Sequence, residues 1–479
     1  MKKIKIFGIC FMVFFLPVVL ITFTIGAQEK EYGITSPEFK KLKAFYDDPR
    51  PFLKDLYKKV LPPEVYTKLT FDLEEMKKLW ADCIGFKSPD VVGKIAPEIK
   101  PGKYSYKDKE KYPGLKEMMI PEHYKRFNLG GPPHAGNFPE ITVVPTRQYY
   151  WALPIAEATK KNMDKTKLDD QGYIIDGTYV AGYPFPRPSG KFKAQQIIYN
   201  WVKRYLNGEN MYLIQLNKGF TKDLREDVDG DIQWWGLRLQ GRVLLEPKGW
   251  YDERARENGE AECITLKYLS PRDLYGSAFN IVYFLDRDQF DQFLIYINVI
   301  RRVRKMSATD TQDAVAGQDV IYEDKDGFSQ KLTPKRYPYK FEVIAEREYL
   351  VPAPTWDGSL YVSKKGLEYH NIEFERRPMY VVKLTQLDTA YVYSSRTLYV
   401  DKETFMVLHA EMNDQKGRLY RDSDMIFAFV PEMGLQFHYA ALLRDHVDLH
   451  SGLLQMLVLP SPWVGRQHVS LQSLVTKGK

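Results

Sequence analysis

The chain has 479 residues, with 69 Lys and Arg against 62 Asp and Glu and a formal net charge of +7. At 44% hydrophobic residues and only three cysteines, it can bury a large core and does not rely on a disulfide framework. The charge is too mild for a general polyanion binder, so nucleic acid is not expected as a partner.

Lys2, Lys3 and Lys5 precede an uncharged run from Ile6 to Ile25, followed by Gly26-Ala27 and a polar start at Gln28. A positive start, an apolar middle and a small-residue exit are the layout of a secretory signal peptide, here over 1–27. The expectation is an exported, periplasmic protein. The run is also long enough to span a bilayer, so an uncleaved inner-membrane anchor facing the periplasm is the alternative. Cleavage removes three lysines and lowers the formal charge to +4. It leaves Cys83 and Cys263, which would either pair in an oxidising compartment or lie apart as buried thiols.

Residues 28–171 read as a helical, loop-rich extension that wraps the main domain. Phe52, Leu53, Leu56, Tyr57 and Val60 recur at helical spacing, as do Leu73, Met76, Leu79 and Trp80 behind a candidate N-cap, Asp72. Between residues 87 and 139, prolines, glycines and lysines recur without apolar period, which predicts a wandering surface segment. Gly130-Gly131-Pro132-Pro133-His134-Ala135-Gly136 lies there and reads as a loop, since no strand–helix context makes it a phosphate cradle. The aromatic runs Tyr149-Tyr150-Trp151 and Trp234-Trp235 could stack on sugars, but such runs more often pack one ring in the core and one at a lid or edge.

The main domain is expected over 172–459, with a tail over 460–479. Pro184-Phe185-Pro186-Arg187-Pro188 gives an extended lead-in. A helix over 191–206 follows, with Ala194, Ile197, Ile198, Trp201, Val202, Tyr205 and Leu206 on one apolar stripe. Asn207-Gly208 ends it. The period then shifts towards two. Strands are predicted over 211–216, 237–244, 262–269, 279–285 and 293–303, then over 340–349, 368–375, 379–386, 389–400, 404–413, 418–429 and 435–443. Between the first two, Asp227-Val228-Asp229-Gly230-Asp231 reads as a tight acidic turn, because the ligand spacing of a calcium loop is missing. Meander order and hairpin spacing give an α+β fold: a large curved antiparallel sheet, half-open as a barrel of about eleven or twelve strands, packed on helices.

The most telling stretch is Phe293-Leu294-Ile295-Tyr296-Ile297-Asn298-Val299-Ile300-Arg301-Arg302-Val303-Arg304-Lys305. Its first half suits a half-buried strand, and Arg301, Arg302, Arg304 and Lys305 crowd its end. Two readings stand: a solvated strand end with ion pairs, or a cavity mouth where arginine forks attract an anionic head group. Phe293, Ile295 and Ile297 share one strand face, and Leu294 and Tyr296 the other. Alternation leaves open which set faces inward.

His446-Val447-Asp448-Leu449-His450 has the spacing of a small metal site, with His438 as a further ligand, but no second cluster reinforces it, so a polar rim explains it better and no metal is expected. No Gly-x-Ser-x-Gly, Ser-x-x-Lys or His-Glu-x-x-His motif occurs, so no catalytic residue or cofactor is assigned.

Several blocks, in order, carry a family likeness. They are Gly182-Tyr183-Pro184-Phe185-Pro186, the helix with Asn200, Arg301-Arg302-Val303-Arg304-Lys305, Asp324-Lys325-Asp326-Gly327-Phe328 and Val351-Pro352. Arg377-Pro378-Met379-Tyr380-Val381-Val382, Tyr393-Ser394-Ser395-Arg396-Thr397-Leu398-Tyr399-Val400-Asp401, Gly417-Arg418-Leu419-Tyr420-Arg421 and Asp448-Leu449-His450-Ser451-Gly452 complete the set. With these the chain resembles, over 172–452, the DUF1329 family of exported bacterial proteins, related to the LolA/LolB-like lipoprotein-sorting fold. Leu453-Leu454 depart from the pattern, where a basic residue is expected. The resemblance implies a half-barrel on helices with an apolar cavity that holds acyl chains, and companionship with an inner-membrane export pump or an outer-membrane component.

The expectation is therefore a non-enzymatic periplasmic carrier of a lipid or other hydrophobic molecule. Its candidate ligand-binding residues are Trp201, Tyr205, Phe293, Ile295, Tyr296, Ile297, Arg301, Arg302 and Arg304. An envelope assembly factor that binds proteins and a hydrolase of envelope glycans or lipids are the rival readings.

Overall fold

β-branched and aromatic residues at alternate positions draw fifteen segments of this chain into one sheet. The computed structural model describes residues 56–130, 136–306, 312, 321–355, 361–362, 368–470 and 472–473. The expected leader, Phe52, Leu53, most of the glycine-rich loop and the last residues of the tail lie outside them.

The sheet has 15 strands. In chain order they are β1 Gly102–Ser105, β2 Glu140–Val143, β3 Asn210–Phe220, β4 Glu226–Arg238, β5 Glu260–Tyr268, β6 Ala278–Phe284, β7 Gln292–Ile297 and β8 Arg302–Lys305. The rest are β9 Tyr339–Pro352, β10 Glu373–Gln386, β11 Ser395–Asp401, β12 Val407–Asn413, β13 Leu419–Val430, β14 Leu435–Asp445 and β15 Ser451–Pro460. The spatial order runs β1-β2-β10-β11-β12-β13-β14-β15-β3-β4-β5-β6-β7-β8, with β9 paired to β10. Its two ends do not meet, so the barrel is half-open as expected. All pairings along this path are antiparallel except β2 with β10.

Three helices position the cavity and the core: α1 Leu73–Ile84, α2 Leu153–Asn162 and α3 Lys193–Val202. Asp72 caps α1, its side chain accepting from Glu75 N, and Gly85 closes it in the left-handed region at φ 89°. α3 is shorter than its apolar stripe and stops at Val202. Asn200 holds the proline lead-in against it, its amide accepting from Phe185 N at 2.9 Å and donating to Phe185 O at 2.7 Å.

Several expectations need correction. The stretch 293–303 is not one strand, because Asn298–Ile300 form a 3-10 turn and β8 folds back on β7 with Arg302 opposite Ile297. Asp227 to Asp231 lie inside β4 and not in a turn, and the chain reverses earlier, where Thr221 N bonds Arg225 O. The predicted strands 368–375 and 379–386 are largely fused in β10 across Pro378. The Pro378 carbonyl accepts from Lys402 N, so the missing N–H faces the side where the β10–β11 ladder ends at Asp401. β15 has no counterpart among the predicted strands.

The described residues within 87–139 do not simply wander over the surface. Ile99, Leu115, Met118, Ile120, Phe127 and Phe138 are buried, and β1 and β2 join the main sheet. The aperiodic backbone is held by side chains from the sheet: Arg376 donates to the carbonyls of Ile95, Ala96 and Ile99, and Glu348 accepts from Gly93 N and Ile95 N. The runs Tyr149-Tyr150-Trp151 and Trp234-Trp235 are buried in the core. Cys83 and Cys263 are separate buried thiols.

Candidate functional site

A cavity of about 1100 Å³ lies against β3 to β7. One row of its wall can be read straight across the strands: Met211, Gly236, Ile264, Ile281 and Phe293 are successive register partners on β3, β4, β5, β6 and β7, and all five line it. Gly236 leaves the room that Met211 occupies, since a Cβ there would stand 2.7 Å from Met211 Cε. The next row, Arg238, Glu262 and Tyr283, is more polar. Val202, Lys203 and Leu206 at and beyond the end of α3, and Phe328 beyond the turn Tyr322–Gly327, also line it.

Cations reach into this space. The Lys203 ammonium lies 4.9 Å from the Tyr179 ring centre and has no carboxylate at ion-pair distance among the described residues. Burial pushes it down to about 8, with Arg238 and Lys331 adding to the effect and Glu262 and Asp291 opposing it. Arg238 stacks over Tyr205 at 4.2 Å and donates to Arg204 O. Lys331 is already matched by Asp291 at 2.7 Å.

The turn Tyr322–Gly327 joins the cavity to a buried ionic layer. Asp326, in the left-handed region at φ 58°, pairs with His438 at 2.7 Å and with Arg204 at 2.5 Å. Burial alone would raise its carboxyl, but His438, Lys325 and Arg204 hold it well below the usual carboxylate range. Beside it Asp324 binds Arg396 at 2.8 Å and accepts from Tyr393 Oη at 2.7 Å, and Arg421 joins Tyr393 to Asp445. Four of the sequence blocks that carry the resemblance thus meet in one network, which no local spacing revealed.

His123, His409 and Asp424 sit close enough to hold a metal ion, and all three are buried. Their donor set does not suit one. Both imidazoles bond Asp424 Oδ1, at 2.7 and 2.8 Å, while Arg126 and Arg444 hold Oδ2 at 2.6 and 2.8 Å. His409 also has Glu411 at 3.6 Å. Burial would lower its pKa, but Asp424, Glu411 and Asp422 raise it to about 9, so it sits there as a cation. The His446-x-Asp448-x-His450 set is dispersed: His446 bonds Asp422 at 3.0 Å, while His438 serves Asp326.

The residues expected to bind ligand are spread over different environments. Phe293 lines the cavity, which shows the inward set to be the odd-numbered one at that point. Ile295 and Ile297 lie further along the same face, half-buried and off the cavity wall, and Tyr296 packs on the other face with Ala278 and Leu294. Trp201 and Tyr205 are fully buried and bind backbone: Trp201 Nε1 donates to Phe328 O at 2.8 Å, and Tyr205 Oη donates to Gly241 O at 2.6 Å. Arg301, Arg302 and Arg304 are exposed, and none borders the cavity. Lys203 and Arg238 escape sequence reasoning because neither stands in a motif. Lys203 belongs to the Lys203-Arg204 pair that ends α3, which reads locally as a solvated C-terminus.

Among the described residues no helix is long and apolar enough to cross a membrane. The family model for the "Protein of unknown function (DUF1329)" matches residues 135–460. No curated protein matches the chain. Among solved structures, a DUF1329 family protein from Desulfovibrio piger is similar over 56% of this chain and 91% of its own, at 12% identity and a TM-score of 0.40. An outer membrane lipoprotein-sorting protein domain from Vibrio parahaemolyticus is similar over 55% and 91%, at 15% identity and 0.39. A LolA superfamily protein from Nitrosomonas europaea is similar over 58% and 98%, at 13% identity and 0.35.

Proposed function

This chain belongs to the DUF1329 family, and from that premise we propose that it is an exported carrier, not an enzyme, that holds an amphiphilic lipid-like molecule in its cavity. The observation that carries the reading is the apolar row from Met211 to Phe293, which lines one cavity together with Lys203. Such a space suits a molecule with an acyl body and an anionic head. Apolar burial would supply most of the affinity, at roughly 0.8 kcal/mol per methylene. Lys203, Arg238 and the tyrosine rims would orient the head group. The cargo would pass to or from a component of the inner or outer membrane.

The test is direct. Lipid is extracted from protein purified from its host, and the emptied protein is titrated with hexadecanoate and with hexadecanol. Uptake of both, with the acid preferred and that preference lost in Lys203→Gln, is the expected result. Protein that yields no lipid and takes up neither compound overturns the carrier reading.

A further inference from the structure

Strands β7 and β8 make the hairpin at one end of the 15-stranded sheet. A two-stranded tip of a soluble protein is normally turned by Asn, Gly or Asp and blunted by charge. This one is charged, but it is not polar. Its turn is Asn298-Val299-Ile300-Arg301, with Arg301 in the left-handed region at φ 50°. Val299 is 77% exposed, Ile300 46% and Val303 37%. Around them Arg301, Arg302, Arg304 and Lys305 are all exposed, and none has a carboxylate at ion-pair distance among the described residues. Val299 and Ile300 stand out from the core, and among the described residues Arg301, Arg302 and Arg304 balance no acid, while Lys305 borders the cavity.

An apolar tip collared by cations that have no acid partner among the described residues is complementary to one kind of partner, a bilayer surface with anionic head groups. β-branched side chains enter the boundary between head groups and acyl chains, while the guanidinium forks bind phosphates around them. Bare polyanions would use the cations but leave Val299 and Ile300 in water.

We propose that the hairpin over 292–305 docks this protein on anionic phospholipid membranes, with Val299 and Ile300 inserted and Arg301, Arg302, Arg304 and Lys305 on the lipid phosphates. The same hairpin supplies Phe293 and Lys305 to the cavity wall, so docking brings the edge of the cavity to the bilayer. The docking itself does not depend on what the cavity holds.

The experiment is flotation of the full-length protein with vesicles of phosphatidylcholine alone and of phosphatidylcholine mixed with phosphatidylglycerol, at low and high salt. Binding is expected on the mixed vesicles only and should weaken with salt. Arg301→Gln with Arg302→Gln should reduce it by about 30-fold, because each cation near an anionic surface contributes about 1 kcal/mol. Val299→Ser with Ile300→Ser should also reduce it, with the melting temperature of both variants unchanged because the replaced side chains are exposed. Equal binding to both vesicle types, no binding to either, or variants that bind like the parent would overturn the proposal. Loss in the arginine variant alone would also overturn it, since the inserted tip would then have no role. Hexadecanoate uptake, measured in parallel without vesicles, reports on the cavity separately.

Discussion

Half-buried on the cavity wall, the Lys203 ammonium has its pKa pushed down to about 8, because desolvation disfavours its charge and Arg238 and Lys331 add to the cost. Two effects of opposite sign result. Hexadecanoate should bind less well as pH rises through about 8, as the cation is lost, while hexadecanol should not respond. The empty protein should become more stable over the same range. Its unfolded chain holds a proton on Lys203 up to about 10.5, whereas the folded chain releases it near 8. Lys203→Gln should abolish both slopes, as read by titration calorimetry and by urea unfolding at a series of pH values. His409 behaves in the reverse sense. Its folded pKa is raised to about 9 from 6.5, so its stabilisation is complete below about 6.5 and is lost as pH rises through about 9. His409→Asn should be less stable at neutral pH and lack that alkaline loss. Neither residue could be singled out in the sequence. A lone lysine after a helix and a lone histidine in a strand have the same local pattern whether they are solvated or caged.

At the scale of elements, α1 is the one most fully legible in the sequence. Asp72 could be read as its cap because capping is local chemistry over three residues, and Asp72 Oδ1 accepts from Glu75 N at 2.8 Å. Asp72→Ala should lower unfolding free energy by about 1 kcal/mol, checked by urea denaturation. The hairpin β7–β8 shows the opposite case. Its turn residues Val299 and Ile300 have strand propensity, so propensity ran through a reversal that is held by pairing, Arg302 with Ile297 and Arg304 with Ile295. The segment 87–139 departs from its expected loop character for a related reason. Its backbone from Gly93 to Ile99 is held by Arg376 and Glu348, which lie more than 200 positions away in the chain. Periodicity reports burial of a repeating face, and a segment pinned through its carbonyls and amides has no such face.

For the whole molecule, Arg377 on β10 ties these parts together. It is fully buried and binds Asp401 at 2.7 Å and Glu403 at 2.8 Å, with Glu375 at 3.6 Å. Glu403 in turn accepts from Ser88 N and Tyr149 N at 2.9 Å each, and its carbonyl accepts from Trp80 Nε1 on α1 at 2.8 Å. One guanidinium thus neutralises the acids that fasten the N-terminal segments to the sheet. Arg377→Met should cost about 3–5 kcal/mol in thermal or chemical unfolding, because it strands carboxylates without a counter-charge in the core. The exposed Arg302→Gln should stay within about 0.5 kcal/mol of the parent. Composition had ranked these two arginines alike.

Read alone, the sequence determined an antiparallel meander of strands, the amphipathic α3, the α1 cap and a family likeness, because turn chemistry, period and capping act over a few residues. Only the tertiary structure decided that Phe293 faces the cavity and Tyr296 does not, and that Lys203 lines it while Arg301 stands in solvent. Alternation sorts a strand's side chains into two faces but cannot say which one the rest of the chain will cover. Burial of a charge depends on partners such as Arg377 and Glu403, brought together only by the register and curvature of the whole sheet.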